Sequence, residues 1–354
     1  MHKVAIIGTT SWGTTLGLLL ARKGIEVRLW ARTEREAAEL RSNGPNPTRF
    51  PDITFPPQLI ITSQLSEALD DIKAVILAVP SQTMRENIGR VKSHLTKSIL
   101  IISAAKGLEI GSGKRMSQVI AEEINPKFHA NICVISGPNL AREVMRNLPA
   151  ATVAAAEDTN AARKVQRLLT TPDFCVFTNT DVIGVELAGA LKNIIALGAG
   201  VADGLGYGDN AKAAFMTRGL TEITALGVAL GANPLTFSGL AGLGDVIATC
   251  ASPLSRNHYV GEELAKGERS LAEITDAMTE VAEGVSTTLV VRNLSQQLGL
   301  EMPITEKIYR VLYENASPQQ VATELMGGAV RHELAGRKWR LFSLFRRQKP
   351  PPAV

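Results

Sequence analysis

Val4-Ala5-Ile6-Ile7-Gly8-Thr9-Thr10-Ser11-Trp12-Gly13 decides the reading of the N-terminal half. Four consecutive apolar residues make a buried strand, Gly8 and Gly13 bracket a tight turn, and residues 14–23 continue as a helix. Strand, glycine turn and helix in this order form the setting in which a GxGxxG motif holds a dinucleotide. Glycines let the backbone approach a pyrophosphate, and the helix N-terminus offers it unpaired N–H groups. Gly8, Ser11, Trp12 and Gly13 are therefore cofactor candidates. Thr10 replaces the middle glycine, and its side chain is expected to crowd the phosphates or force a different approach. The motif alone leaves open a turn that merely packs helix on strand.

The second strand, 26–30, runs into Ala31-Arg32. The acid expected roughly 20 residues past the fingerprint, where it would hold a ribose 2′-hydroxyl, is missing there. Arg32 stands in its place, and a guanidinium suits a 2′-phosphate, so NADP(H) is expected over NAD(H), with NAD(H) admitted. The alternative is a surface charge paired with Glu34 or Glu36.

Outward from this unit, short apolar runs recur with helical stretches between them, at 27–30, 59–62, 74–79, 98–103, 132–136, 152–156 and 175–177. Such alternation builds a parallel sheet with helices on both faces. It stops near Asp181, beyond which the chain reads as helices punctuated by Gly, Pro and Asn. The expected fold is α/β: a Rossmann-like dinucleotide-binding domain over 1–180, an all-α substrate and catalytic domain over 181–336, and a basic amphipathic tail over 337–354. With 354 residues, 45% hydrophobic and 20% charged, the chain is long and apolar enough for about two folded domains. Cys133, Cys175 and Cys250 show no CxxC spacing and are expected as reduced core thiols. The segment 187–202 is apolar but interrupted by Lys192 and Asn193, so it reads as a buried helix rather than a membrane span. The N-terminus lacks the apolar core of a secretory signal, which places the chain in the cytoplasm.

The net charge is +4, and six cations, Arg337, Lys338, Arg340, Arg346, Arg347 and Lys349, follow the last acid; without them the chain stands at −2. That distribution argues against a nucleic-acid binder. Trp339, Leu341, Phe342, Leu344 and Phe345 lie among these cations, a composition suited to peripheral contact with an anionic membrane, or to docking on the protein's own surface.

The apolar helix 184–202 carries Glu186, Lys192 and Asn193. A buried ammonium is costly unless paired or functional. A ketone reductase has use for one, because hydride arriving at a carbonyl carbon leaves negative charge on oxygen, which a lysine stabilises and protonates. A salt bridge or a snorkelling stem is the other reading. The glycine-rich stretch 238–245 ends in Asp245 and is followed by Ser255-Arg256-Asn257, donors suited to a phosphate, or else a helix-capping loop. Lys106 ends a strand, where ligands of open α/β sheets bind. His258 is expected as a loop residue, and the five histidines show no metal-ligand spacing, so no metal is expected.

These residues carry a resemblance. Residues 8–14, 105–107, 136–139, 184–196, 203–210, 236–245 and 255–257 are similar to the bacterial NAD(P)-dependent glycerol-3-phosphate dehydrogenases, over about 3–332. The resemblance implies reversible reduction of dihydroxyacetone phosphate to sn-glycerol 3-phosphate, supplying glycerophospholipid synthesis. It also implies Lys192 as the proton-transfer group and Lys106 as a contact to both ligands. Gly137, Asn139, Asp245, Ser255, Arg256 and Asn257 fall on substrate positions. Ser11, Trp12, Arg32, Ala141, Val281 and Glu283 fall on cofactor positions, with Arg256 serving both ligands. Thr10, Asn139 in place of serine, and Thr33 in place of a second basic residue depart from the pattern. Pro80-Ser81 and Glu186 match without an assigned role. The competing readings are another two-domain ketone or imine reductase, such as a ketopantoate reductase, and a non-catalytic dinucleotide sensor. The oligomeric state is left open, a homodimer being admitted.

Overall fold

The computed structural model describes residues 3–44, 53–96 and 99–326. The tail read from the sequence lies outside them, as do the last residues of the expected second domain.

Among the described residues, eight strands form one sheet: β1 (Lys3–Ile7), β2 (Glu26–Trp30), β3 (Leu59–Thr62), β4 (Ala74–Leu77), β5 (Leu100–Ser103), β6 (Ile132–Ser136), β7 (Ala150–Ala155) and β8 (Phe174–Asn179). Their order is β3-β2-β1-β4-β5-β6-β7-β8. Val4, Ile6, Val27, Leu29 and Ile76 pack into one apolar layer, while Ala5, Ile7, Trp30, Val75 and Leu77 pack into the other. This period-two division explains why the strands read as unbroken apolar runs: both faces are covered by helices. The register pairs Ile7 with Trp30 and with Leu77, so β1, β2 and β4 end level and their following turns share one rim.

The sheet departs from the all-parallel expectation at β7, which runs antiparallel to β6 and parallel to β8. The link between β6 and β7 holds only the short helix Ala141–Met145 and does not cross back over the sheet. As the last strand, β8 has one face in solvent. Cys175 is therefore exposed, not a core thiol, whereas Cys133 and Cys250 are buried and burial pushes both thiols up to about 12.

The helical half is organised on Val182–Gly204, 23 residues long. By length and mean hydropathy, 1.6, it is apolar enough to cross a membrane, yet 83% of its apolar window is buried inside the protein. Leu187, Leu191, Ile194 and Ile195 are essentially inaccessible, each contributing about 1.5–3 kcal/mol by leaving water. Two glycines set its closest packing. A Cβ at Gly200 would stand 2.0 Å from the His258 carbonyl oxygen, and one at Gly261 would stand 1.9 Å from that of Leu197. The helices Val182–Gly204 and Arg256–Lys266 therefore touch backbone to backbone, which brings residues 255–258 against Lys192 and Asn193. Asp181 caps the long helix through the Gly184 N–H at 2.9 Å and accepts the Thr236 hydroxyl at 2.6 Å.

Two carboxylates fasten this half to the sheet. Glu186 accepts from the Ser117 N–H at 2.7 Å and from the Arg115 guanidinium. Glu283, opening the helix Glu283–Leu298, accepts the Ser81 N–H at 2.8 Å and the Ser81 hydroxyl. Glu186 and Ser81, which match the resemblance without an assigned role, thus take part in the contact between the two halves.

Candidate active site at the domain interface

Gly8 has φ +110°, and a Cβ there would stand 2.7 Å from the Ala78 carbonyl oxygen; one at Gly13 would stand 2.1 Å from the Gly8 carbonyl oxygen. Both must be glycine for the helix Ser11–Arg22 to start directly above β1. Thr10 need not be: its φ is −59°, its oxygen accepts the Gly13 N–H at 3.1 Å, and its hydroxyl donates to Ala78 at 2.8 Å. The expected crowding is corrected accordingly, since the side chain is turned into the helix cap. The glycine backbone and the helix N-terminus make a cradle of the kind that suits a pyrophosphate, and the Ser11 N–H in it bonds Glu280 Oε1 at 3.0 Å.

Arg32 follows β2 with its side chain 77% exposed, its Nε 3.8 Å from Glu36 Oε2. Glu36 also accepts the Arg32 N–H at 3.1 Å and the Thr9 hydroxyl. The next helix thus brings a carboxylate back to the end of β2 and onto the glycine turn. Thr33 caps that helix through the Glu36 N–H at 3.2 Å. Trp12 packs near Phe174, and Ala141 opens the short helix beside Ser11–Arg22.

At the C-terminal rim of β5 and β6 the structure brings together four expected residues. Asp245 is 1% exposed and is held between two lysines: Lys106 Nζ lies 2.6 Å from Oδ2 and Lys192 Nζ 2.9 Å from Oδ1. Lys106 also donates to the Gly137 carbonyl at 2.9 Å. A Cβ at Gly137 would meet Thr152 Cα at 2.9 Å. Burial is the main influence on Lys106; Asp245 opposes it only in part, and its ammonium is pulled down from 10.5 to about 8. Burial alone would raise the Asp245 carboxyl, but the charges of Lys106 and Lys192 outweigh it and hold the group below its ordinary value. One carboxylate against two ammonium groups leaves a net positive site, suited to an oxygen that gains negative charge.

Thr249 was not singled out by the sequence. It lies one helical turn beyond Asp245 in Asp245–Ala251, 3.2 Å from Oδ1, and its hydroxyl accepts from Lys192 Nζ. The four-residue spacing on one helix is the signal that could have found it.

The Ser255-Arg256-Asn257 group borders this cluster. Ser255 caps the helix Arg256–Lys266 through the His258 N–H at 3.2 Å. Asn257 donates to Asn193 Oδ1 and accepts the Gly284 N–H, each at 2.9 Å, tying three helices together. Arg256, 47% exposed, donates to the Val281 carbonyl at 2.9 Å. Asn139 turns instead to the Ala151 carbonyl at 2.9 Å. Val281 is 51% exposed, while Glu283 lies so close that a Cβ at Gly107 would stand 3.1 Å from its carboxylate. His258 is not a loop residue: it lies inside the helix, buried, with Nε2 2.7 Å from Asp203 Oδ2.

Residues 3–162 match the family described as NAD-dependent glycerol-3-phosphate dehydrogenase N-terminus, and 181–323 match its C-terminus. The chain belongs to the NAD-dependent glycerol-3-phosphate dehydrogenase family. A glycerol-3-phosphate dehydrogenase (NAD(P)+) from Dehalococcoides mccartyi is 61% identical over 350 residues, covering 99% of this chain and 97% of the relative. The crystal structure of glycerol-3-phosphate dehydrogenase from Coxiella burnetii superposes with a TM-score of 0.86 at 38% identity, covering 92% of this chain and 99% of that one. A ketopantoate reductase from Ralstonia eutropha reaches a TM-score of 0.53 at 17% identity, over 92% of this chain and 99% of that one, a likeness of fold alone. In this chain the Lys106, Lys192 and Asp245 cluster lies on the rim where open α/β sheets bind ligands.

Proposed function

We propose that this chain reduces dihydroxyacetone phosphate reversibly to sn-glycerol 3-phosphate with NADPH or NADH, in the cytoplasm, and so supplies glycerophospholipid synthesis. The observation that carries the reading is the buried Asp245 carboxylate with Lys192 on one oxygen and Lys106 on the other. When bound, the nicotinamide supplies the hydride that adds to the carbonyl carbon. Lys192 then gives its proton to the carbonyl oxygen, and in the reverse direction its neutral amine takes the proton back from the alcohol. Asp245 and Thr249 fix the lysine nitrogen between two acceptors, which leaves its remaining N–H for the substrate. Lys106 and Arg256 provide positive charge for the developing alkoxide and the phosphate, Arg256 through a planar fork.

For the cofactor, Gly8, Ser11, Trp12 and Gly13 hold the pyrophosphate, with Ala141, Val281 and Glu283 along its path. Arg32 favours NADPH through the 2′-phosphate, and Glu36 keeps NADH usable by offering a carboxylate where a ribose hydroxyl would lie. The test is oxidation of NADPH and of NADH by the purified protein with dihydroxyacetone phosphate, run beside ketopantoate. Turnover of dihydroxyacetone phosphate alone supports the reading, and turnover of ketopantoate in its place overturns it.

A further inference from the structure

The helix Ser11–Arg22 has no acid in its first turn, and Thr10 caps it through the Gly13 N–H. The Ser11 N–H, the amide that faces the cofactor's pyrophosphate, is taken from outside the domain. Glu280 Oε1 accepts it at 3.0 Å. The other oxygen of the same carboxylate lies 3.8 Å from Arg256 Nη1, and that guanidinium also donates to the neighbouring Val281 carbonyl. The Glu280 side chain is only 21% exposed, so its end of the contact is largely shielded, while Arg256 is half in solvent.

We propose that Glu280 acts as an internal stand-in for the cofactor's pyrophosphate: it occupies the helix N-terminus and holds Arg256 until the dinucleotide displaces it. The inference rests on the cofactor placement proposed above. A carboxylate and a phosphate oxygen have the same charge and seek the same N–H, and like charges cannot share that position. Displacement has a second effect. Arg256 loses its acid partner as the cofactor arrives, and its guanidinium becomes available to the phosphate of the substrate. One side chain then links the two halves of the reaction and favours binding of cofactor before substrate. The loop around it is compatible with such a move, since Val281 is half exposed while Glu283 remains anchored on Ser81.

The test compares wild type with Glu280→Gln and Glu280→Asp by equilibrium titration with NADPH and with NADH, then with dihydroxyacetone phosphate in the absence of cofactor. Glu280→Gln is expected to bind both dinucleotides about three- to tenfold more tightly, because its carboxamide oxygen still accepts the Ser11 N–H but the charge that strengthens this bond and holds Arg256 is gone. The gain is equal for the two cofactors, because they share the pyrophosphate, and it shrinks with added salt. Glu280→Asp keeps the charge but not the reach and is expected between wild type and Glu280→Gln; it carries the test if the glutamine variant does not fold. Dihydroxyacetone phosphate is expected to bind the cofactor-free Glu280→Gln chain more tightly than wild type. Unchanged or weaker dinucleotide binding in the variants overturns the displacement, and unchanged substrate binding overturns the link to Arg256. If no version of the chain binds either dinucleotide, the cofactor placement itself fails.

Discussion

Replacing Asp245 by Asn separates the two lysines by their protonation. The carboxylate gives one oxygen to Lys192 and the other to Lys106, whereas a carboxamide has one acceptor and must turn its N–H groups toward the other ammonium. Lys106 has a second acceptor in the Gly137 carbonyl and already sits at about 8, so it is the lysine that gives up its proton. Leaving a buried ion pair half-broken costs about 3–5 kcal/mol, but loss of that proton limits the damage. The sign follows from the two states. Unfolded, Lys106 returns to 10.5; folded, the wild type keeps its proton up to about 8 and the variant loses it at lower pH. Below about pH 8 the stability deficit of Asp245→Asn should therefore widen by about 1.4 kcal/mol for each unit of acidification, until the variant's own Lys106 titrates. Above it, both folded chains hold neutral Lys106 and this part of the deficit disappears. Urea unfolding of both proteins between about pH 6.5 and 9.5 measures the difference. A deficit that does not change with pH would refute the shared-carboxylate account of the two lysines. The same variant should lose about two to four orders of magnitude in kcat, since Lys192 loses the carboxylate charge beside it and keeps only neutral acceptors.

Lys192→Ala should lower kcat by about two to four orders of magnitude with little change in dinucleotide affinity, and Lys192→Arg should not restore it, because arginine does not give up its proton. A near-normal kcat in either would remove Lys192 from proton transfer. Arg256→Lys should raise KM for dihydroxyacetone phosphate more than for phosphate-free dihydroxyacetone, since charge is kept and the fork is lost; equal changes would take Arg256 off the phosphate. Arg32→Ala should weaken NADPH and spare NADH, while Glu36→Gln should weaken NADH more than NADPH, and titrations in which both cofactors respond alike would cancel the assignment of this corner to the 2′ position.

What was legible in the sequence was what local chemistry dictates. Buried strands announce themselves as apolar runs, and Gly8 and Gly13 mark a turn whose backbone contacts admit no side chain. A lysine inside the apolar helix Val182–Gly204 required a partner, which the structure supplies in Asp245, 53 residues away. The antiparallel turn to β7 and the exposure of Cys175 were not legible, because both depend on which edge of the sheet a strand joins and not on the residues within it. Thr10 was misread for a related reason. The glycine pattern prices a side chain against the phosphates, whereas the Ala78 carbonyl and the Gly13 N–H offer that hydroxyl a better place.

The partners of three carboxylates are the instructive omission. Glu36 enters the sequence reading only as a partner for Arg32, Glu283 only as a cofactor position implied by the resemblance, and Glu280 not at all, yet Glu36 accepts the Arg32 N–H, Glu280 that of Ser11 and Glu283 that of Ser81. An exposed glutamate is cheap to place anywhere on a surface, so its position in the chain says little about its partner. An unpaired N–H at a turn or a helix start is costly to bury and must find an acceptor. In a two-domain protein whose cleft is meant to receive a polyanion, those acceptors are in short supply until the ligand arrives. Glu280 and Glu283 meet the demand across the cleft, and Glu36 within the N-terminal half. Residues that complete the site without ligand are therefore candidates for controlling its entry, and they are found by asking which amides the ligand will take and what holds them beforehand.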